Sequence, residues 1–281
     1  MVTPCGFESH LSHHESAIFG KKVADFLLHT DRKGCVTAMV RFFVTSQELN
    51  MDDPVLTGEN ASHAKVLRLK EGEQVLLCDG CGSEAVCTVE SYSQGEYRLL
   101  VQERIESASE ASVRVSVYMA LPKGDKLEHV IQKATELGAY EIVTFPSARC
   151  VSRPDEKTLR KKLDRWQKIA ASAAEQSGRG RIPQVVVLSG FKAALERAAQ
   201  SDKAILFYEN EKATTLRQEL DRGVYNSVCL LSGPEGGFEA FEIEQAKDMG
   251  LRICTLGNRI LRCETAPLCG LSAVMFHAGE F

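Results

Sequence analysis

The sequence predicts an α/β protein in two parts, a small β-rich domain followed by a larger domain of alternating strands and helices. Three observations carry this. From residue 39 to about 111, short apolar runs alternate with glycine-bearing turns, as in a small β-barrel or sandwich. From residue 113, apolar runs alternate with segments of helical period, as in a mostly parallel sheet with helices on both faces. The chain's 281 residues, 44% hydrophobic and 26% charged, suffice for two globular domains.

Residues 1–38 fit neither part. They hold four of the seven histidines, His10, His13, His14 and His29, and show no clean period. Their charges balance, and they lack an apolar core, so they resemble neither a presequence nor a signal peptide. "HLSHH" could ligate a metal, but a solvated or disordered segment is the better explanation. Met39 opens "MVRFFV", which reads like a protein start, so 1–38 are expected to be an upstream extension with little fixed structure. In the β-rich part the strands are "RFFVT" (41–45), "QVLLCD" (74–79), "EAVCTVES" (84–91) and "YRLLVQE" (97–103), with "SHAKVLRLKEG" (62–72) a short helix or strand. "ESASEAS" (106–112) is polar and small, a candidate linker.

In the second part, strands are expected at 114–121, 141–146, 184–188, 203–208, 227–232 and 252–256. A helix over 126–138 buries Leu127, Val130, Ile131, Ala134 and Leu137, with Asp125 as N-cap and Gly138 as terminator. A second helix, 155–177, carries Leu159, Leu163, Trp166 and Ala170 on one face.

Composition excludes several functions. No apolar run approaches the roughly 18 residues of a membrane span. The net charge of −4 argues against a generic polyanion binder. The ten cysteines lie mostly in apolar stretches, as free thiols do in a cytoplasmic protein. Cys78 and Cys81 form a single C-x-x-C without a second pair, so a hairpin turn is expected there and no metal site.

Three stretches carry chemistry. "LSGPEGGFEAFE" (231–242) follows an apolar run and precedes a helical one. It contains neither G-x-x-x-x-G-K-[ST] nor G-x-G-x-x-G. Glu235 among its glycines would repel a phosphate. The loop therefore suits a cationic, phosphate-free nucleoside such as S-adenosylmethionine, or is only a tight strand-to-helix turn. "TLGNRILRCETAPL" (255–268) would form a neighbouring loop whose apolar backbone suits an adenine ring. Thr265 or Glu264 would cap the last helix, with Pro267 in its first turn. Between 149 and 181 the local charge balance is +6. Lys157, Lys161, Arg165 and Lys168 stripe one face of the 155–177 helix, either a solvated face or a nucleic-acid surface.

"GPEGGF", "LGNRILRCETA", "AEQSGR" and "KGDKLEHVIQKATELG", in this combination, resemble the RsmE-type 16S ribosomal RNA uridine-N3 methyltransferases of the SPOUT superfamily. The resemblance covers about 39–281. "MVRFFV" and "HAKVLRLKEGEQVLLCDGCG" resemble that family's PUA-like barrel. The family's last helix is alanine-rich after "ETA", and Pro267 and Cys269 depart from it. The resemblance implies a PUA-like RNA-binding barrel over 39–108 and a SPOUT-like α/β domain with a trefoil knot over 113–281. It implies a homodimer acting in the cytoplasm on small-subunit ribosomal RNA or the assembled 30S subunit. It places S-adenosylmethionine between Leu231, Gly233, Glu235, Gly236 and Gly237 on one side and Leu256, Gly257, Ile260, Leu261, Arg262 and Thr265 on the other. A side chain at Gly236 is expected to intrude on the ligand.

Uridine N3 is a poor nucleophile until it loses its proton, and cationic donors must spread the resulting charge. Arg179 is the first candidate and Arg262 the second, with Glu175 or Glu235 as a possible base. Arg41, Arg68 and Lys123 are expected to join the basic stripe in binding RNA. A non-catalytic RNA-binding protein that keeps the fold is the alternative. A nucleotide hydrolase is disfavoured by the missing P-loop and the lack of an Asp-rich metal cluster.

Overall fold

The computed structural model describes residues 28–30 and 36–281. The expectation for 1–38 lies outside the described residues, except for an antiparallel ribbon of β1 (Leu28–Thr30) and β2 (Val36–Ala38). The chain divides into two compact units between Ser109 and Glu110.

The first unit is built on a five-stranded sheet, order β3-β5-β6-β7-β4. Its strands are β3 (Val40–Phe43), β4 (Val55–Leu56), β5 (Gln74–Cys78), β6 (Ser83–Ser93) and β7 (Glu96–Glu106). Only the β3–β5 pairing is parallel. Apolar residues alternate toward one core, with Phe42, Val75, Leu77, Ala85 and Leu99 at most 1% exposed. The turn between β6 and β7 puts Gln94 (φ 52°) and Gly95 (φ 86°) in left-handed geometry, the two-residue turn that suits the strand twist.

Two short helices complete the unit. In α1 (Ser46–Leu49) Thr45 and Glu48 close a capping box, a signal present in the sequence as T-x-x-E. The stretch that could be helix or strand is the helix α2 (Gly58–Val66). Arg41, expected on RNA, is instead turned inward. Its guanidinium pairs with the fully buried Glu84 and donates to Cys78 Sγ. A buried carboxylate demands a cation, and Arg41 is consumed meeting that demand. Arg68 is exposed.

The second unit has a six-stranded, wholly parallel sheet, order β10-β9-β8-β12-β11-β13. The strands are β8 (Arg114–Ala120), β9 (Glu141–Phe145), β10 (Gln184–Val187), β11 (Lys203–Phe207), β12 (Ser227–Ser232) and β13 (Arg252–Cys254). β8, β9 and β10 step outward in order. The chain then returns to the far side of β8, where β12 inserts between β8 and β11. Helices α3 (Lys126–Glu136), α4 (Glu156–Gln176), α5 (Phe191–Ala198), α6 (Leu216–Leu220), α7 (Ala240–Asp248) and α8 (Thr265–His277) connect and cover the strands. Val117, Met119, Ile131, Ile142, Phe145, Leu206 and Leu230 are fully buried between them.

Asp125 precedes α3 as expected, but its side chain makes no cap bond. Its backbone (φ −99°, ψ 11°) lacks the extended geometry that aims a cap at the first turn. Gly138 follows the helix with φ 90°. Asp155 does cap α4, accepting from the Thr158 N–H at 2.7 Å. Trp166 and Ala170 are buried, Leu159 and Leu163 half-buried, and Lys157, Lys161, Arg165 and Lys168 exposed. Arg165 pairs with Glu128 at 2.7 Å.

α8 lies across β8 and β12. Its Gly270 is a helix-interior glycine, a choice that costs about 1 kcal/mol against alanine. Packing explains it: a Cβ here would stand 2.5 Å from Phe207 Cζ. Gly270→Ala is therefore expected to destabilise the protein by about 1–3 kcal/mol through overpacking, despite its better helix propensity. Denaturant unfolding measures this, and a stabilised variant would contradict the packing argument.

Candidate functional site

β12, β11 and β13 are neighbours, and the loops leaving their carboxyl ends enclose a cleft of about 550 Å³. Ligands bind at this end of parallel sheets. Residues 207–209 and Lys212 come from the β11 loop, 232–238 from the β12 loop and 255–263 from the β13 loop, with Lys126 of α3 and Ala266 of α8.

The glycine loop is folded tightly on itself. A Cβ at Gly233 would lie 3.1 Å from the Gly237 backbone, and the Gly237 N–H donates to Pro234 O at 2.9 Å. Gly237 has φ 67°, which favours glycine. The loop is anchored on two sides. Glu235 accepts from the Lys123 N–H at 3.0 Å and from Lys126 Nζ at 2.9 Å. Arg149 donates to Gly236 O at 2.7 Å and grips Glu239 through Nε and Nη2. Glu242 accepts both the Glu239 and the Ala148 N–H at 2.9 Å. The awkward carboxylate of the loop is thus its tether to the start of α3.

Burial pushes the Glu235 carboxyl up, but the Lys126 ammonium and the Glu235 and Lys123 amides outweigh it and hold the group below the ordinary glutamate value. Lys126 is raised in turn, chiefly by its bond to Glu235. A depressed carboxyl holds its tether above the ordinary glutamate pKa and loses it only as pH falls through the lowered value. Glu235→Gln should therefore speed amide exchange over 235–238 by about two- to fivefold at neutral pH. The wild type should show this only in acid. Equal exchange in the two proteins at neutral pH would contradict the tether.

The opposite wall mixes apolar Leu256, Ile260 and Leu261 with polar Asn258, Arg259 and Arg262. Leu256 and Leu261 are half-buried, and Ile260 stands 88% exposed at the lip. Gly257 turns with φ 105°, its N–H bonded to Thr255 Oγ1 at 3.1 Å. The Arg262 carbonyl accepts from the Thr265 and Ala266 N–H groups, so α8 starts where the wall ends. Cys263 donates to Glu264 at 3.1 Å. Burial, then that bond, pushes its thiol up to about 11, so it stays a neutral wall residue.

Gly233, Glu235, Gly236, Gly237, Leu256, Gly257, Ile260, Leu261 and Arg262 all line the cleft. Leu231 and Thr265 do not. Leu231 is fully buried in β12, one residue short of the strand's end. Thr265 is exposed on the first turn of α8. Gly236 lines the cleft, but the direction of its absent side chain is wrong for the expectation placed on it. A Cβ there would meet the Arg149 side chain at 3.2 Å, whereas one at Gly237 would meet Glu209 Oε1 at 2.8 Å.

Arg179 and Glu175 are absent from the lining, and Arg179 is corrected outright. It is 3% exposed, paired with Glu110 at 2.6 Å and donating to Thr135 O and Ala139 O. A guanidinium so enclosed braces the end of α3 and cannot reach a substrate. Glu175 is exposed on the last turn of α4. Sequence reasoning missed Lys126, Phe207, Tyr208, Glu209 and Lys212, which lie outside the two loops it singled out. The signal for Phe207 to Glu209 was available, because they end a strand beside the two that were singled out.

The lining suits a phosphate-free nucleoside with a positive centre. It combines bare backbone at Gly233 and Gly237, apolar Leu256 and Leu261, the carboxylates of Glu209 and Glu235, and the cations Lys126, Lys212, Arg259 and Arg262. Lys126 neutralises Glu235, which leaves the Glu209 carboxylate to attract a positive centre. Among the described residues no group of His, Cys, Asp and Glu could hold a metal, and no helix is long and apolar enough to cross a membrane.

Residues 109–275 match the RNA methyltransferase domain family, and residues 56–96 match the RNA methyltransferase PUA domain. The chain is 38% identical over 250 residues to ribosomal RNA small subunit methyltransferase E of Bacillus subtilis, covering 85% of this chain and 96% of that one. It is 35% identical over 223 residues to the Mycobacterium bovis enzyme of the same name, covering 78% and 85%. The crystal structure of a ribosomal RNA small subunit methyltransferase E from Neisseria gonorrhoeae bound to S-adenosyl methionine superposes with TM-score 0.74. It shares 29% identity and covers 85% of this chain and 97% of that one.

Proposed function

The chain belongs to the ribosomal RNA small subunit methyltransferase E family, and from that premise we propose that it methylates N3 of a uridine in small-subunit ribosomal RNA. The observation that carries this is the cleft itself: glycine backbone on one wall, the side chains of Leu256, Ile260 and Leu261 on the other, and the Glu209 carboxylate beside the glycines. S-adenosylmethionine, when bound, supplies an electrophilic methyl group.

The chain's own residues account for binding and charge. Gly233 and Gly237 offer backbone without side chains, and Leu256, Ile260 and Leu261 offer apolar surface to the adenine. Arg262, exposed at the lip, spreads the negative charge that develops on the uridine carbonyl oxygens as N3 loses its proton. Lys126 stays protonated through Glu235 and adds positive potential beside it. Glu235 is a tether, not a base, because a depressed and twice-bonded carboxylate is a weak proton acceptor. The N3 proton passes to solvent.

The exposed stripe Lys157, Lys161, Arg165 and Lys168, with Lys123 and Arg68, binds RNA phosphates. The first unit's sheet closes as a PUA-like barrel that adds RNA contacts. The loops after β12 and β13 thread the trefoil knot of this fold, and two copies form a homodimer in the cytoplasm.

Mass mapping of ribosomal RNA from cells lacking the gene tests the reading. One N3-methyluridine should disappear and return on complementation. An unchanged map would refute it, and failure to bind S-adenosylmethionine in a calorimetric titration would point to a non-catalytic RNA-binding protein.

A further inference from the structure

Glu209 stands apart from the other carboxylates around the cleft. Glu235 is held by Lys123 and Lys126, Glu264 by Cys263, and Glu239 by Arg149. The Glu209 carboxylate makes no hydrogen bond among the described residues. Arg149 feels its charge more weakly than that of Glu239 and gives its hydrogen bonds to Glu239 and Gly236.

Glu209 nevertheless lies with its side chain beside the glycine loop. Its carbonyl accepts from Lys212 Nζ at 2.8 Å, and its head group lies over Gly237, where a Cβ would be 2.8 Å from Oε1. Topology gives that position a meaning. β11 is hydrogen-bonded to β12 on one side and to β13 on the other. The loop leaving β11 therefore emerges between the glycine loop and the 255–263 loop, where it would face the middle of an elongated ligand spanning the two.

We propose that Glu209 binds the ribose hydroxyls of the nucleoside cofactor. The inference rests on the cofactor reading above. In S-adenosylmethionine the ribose is the middle of the molecule, joining the adenine to the sulfonium-bearing chain. Its two neighbouring hydroxyls are donors that a carboxylate with both oxygens open accepts together. The bare Gly237 leaves room for the carboxylate itself to stand at the cleft.

Calorimetric titration of the full chain with S-adenosylhomocysteine and its 2′-deoxy and 3′-deoxy counterparts tests the proposal. The wild type should bind each deoxy compound at least about tenfold more weakly than the parent. Glu209→Ala should bind the parent about tenfold more weakly and no longer distinguish the three. Glu209→Gln, which keeps one acceptor oxygen, should fall between them. A Glu209→Ala variant that keeps the wild type's affinity or its discrimination overturns the proposal and leaves the cofactor reading standing. A wild type that binds none of the compounds overturns both. Glu209 is exposed, so matched thermal unfolding of the variants confirms that binding, not folding, has changed.

Discussion

Arg179→Ala is expected to lower stability by about 3–5 kcal/mol, the cost of removing one partner of a buried ion pair. The side chain is 4% exposed and Glu110 18%. Without the guanidinium, Glu110 loses its cation, and the carbonyls of Thr135 and Ala139 lose a donor in a buried setting. Lysine should restore only part of the loss, because one ammonium cannot reproduce a fork that serves two carbonyls and a carboxylate at once. Denaturant unfolding measures the stability, and calorimetry under native conditions should show unchanged S-adenosylmethionine affinity. Full stability together with a collapse in turnover would return Arg179 to the reacting groups.

Gly237→Val should weaken cofactor binding, with affinity falling by about tenfold or more. Two effects act together. A β-branched residue at φ 67° is strained by about 1–3 kcal/mol, and its Cβ is driven into the Glu209 carboxylate on the cleft side. Gly236→Val serves as the control. Its side chain would press on Arg149 behind the loop, loosening one anchor while leaving the cleft open, so affinity should fall far less. Calorimetric titration of both variants gives the order, and the reverse order would contradict the geometry described here.

These two residues also mark what the sequence could and could not convey. The six strands of the larger unit were legible because each is an apolar run bounded by polar or glycine-bearing segments. The long basic helix was legible because its apolar period is unbroken. Nine cleft residues were legible because they lie in two contiguous loops with unusual composition. Arg179 was misread because a polar run at a helix end looks the same whether its arginine faces solvent or folds back under the preceding helix. Only the partner 69 residues away, Glu110, decides that. Arg41 was misread for the same reason, since the demand of buried Glu84 cannot be read from either residue alone. Gly236 and Gly237 are adjacent and chemically identical. What separates them is the direction of a side chain that neither possesses, a property of the fold.

The contact between Gly270 and Phe207 has a consequence for how this cleft can vary among relatives. Phe207 is part of the cleft floor, and its ring edge occupies the notch that Gly270 leaves in α8. Floor and helix therefore share one volume. A relative carrying a methyl group at the position of Gly270 must carry a smaller residue at that of Phe207, or move the helix away from the sheet. The two positions should change together across evolution, although 63 residues of chain separate them and neither belongs to a recognisable motif.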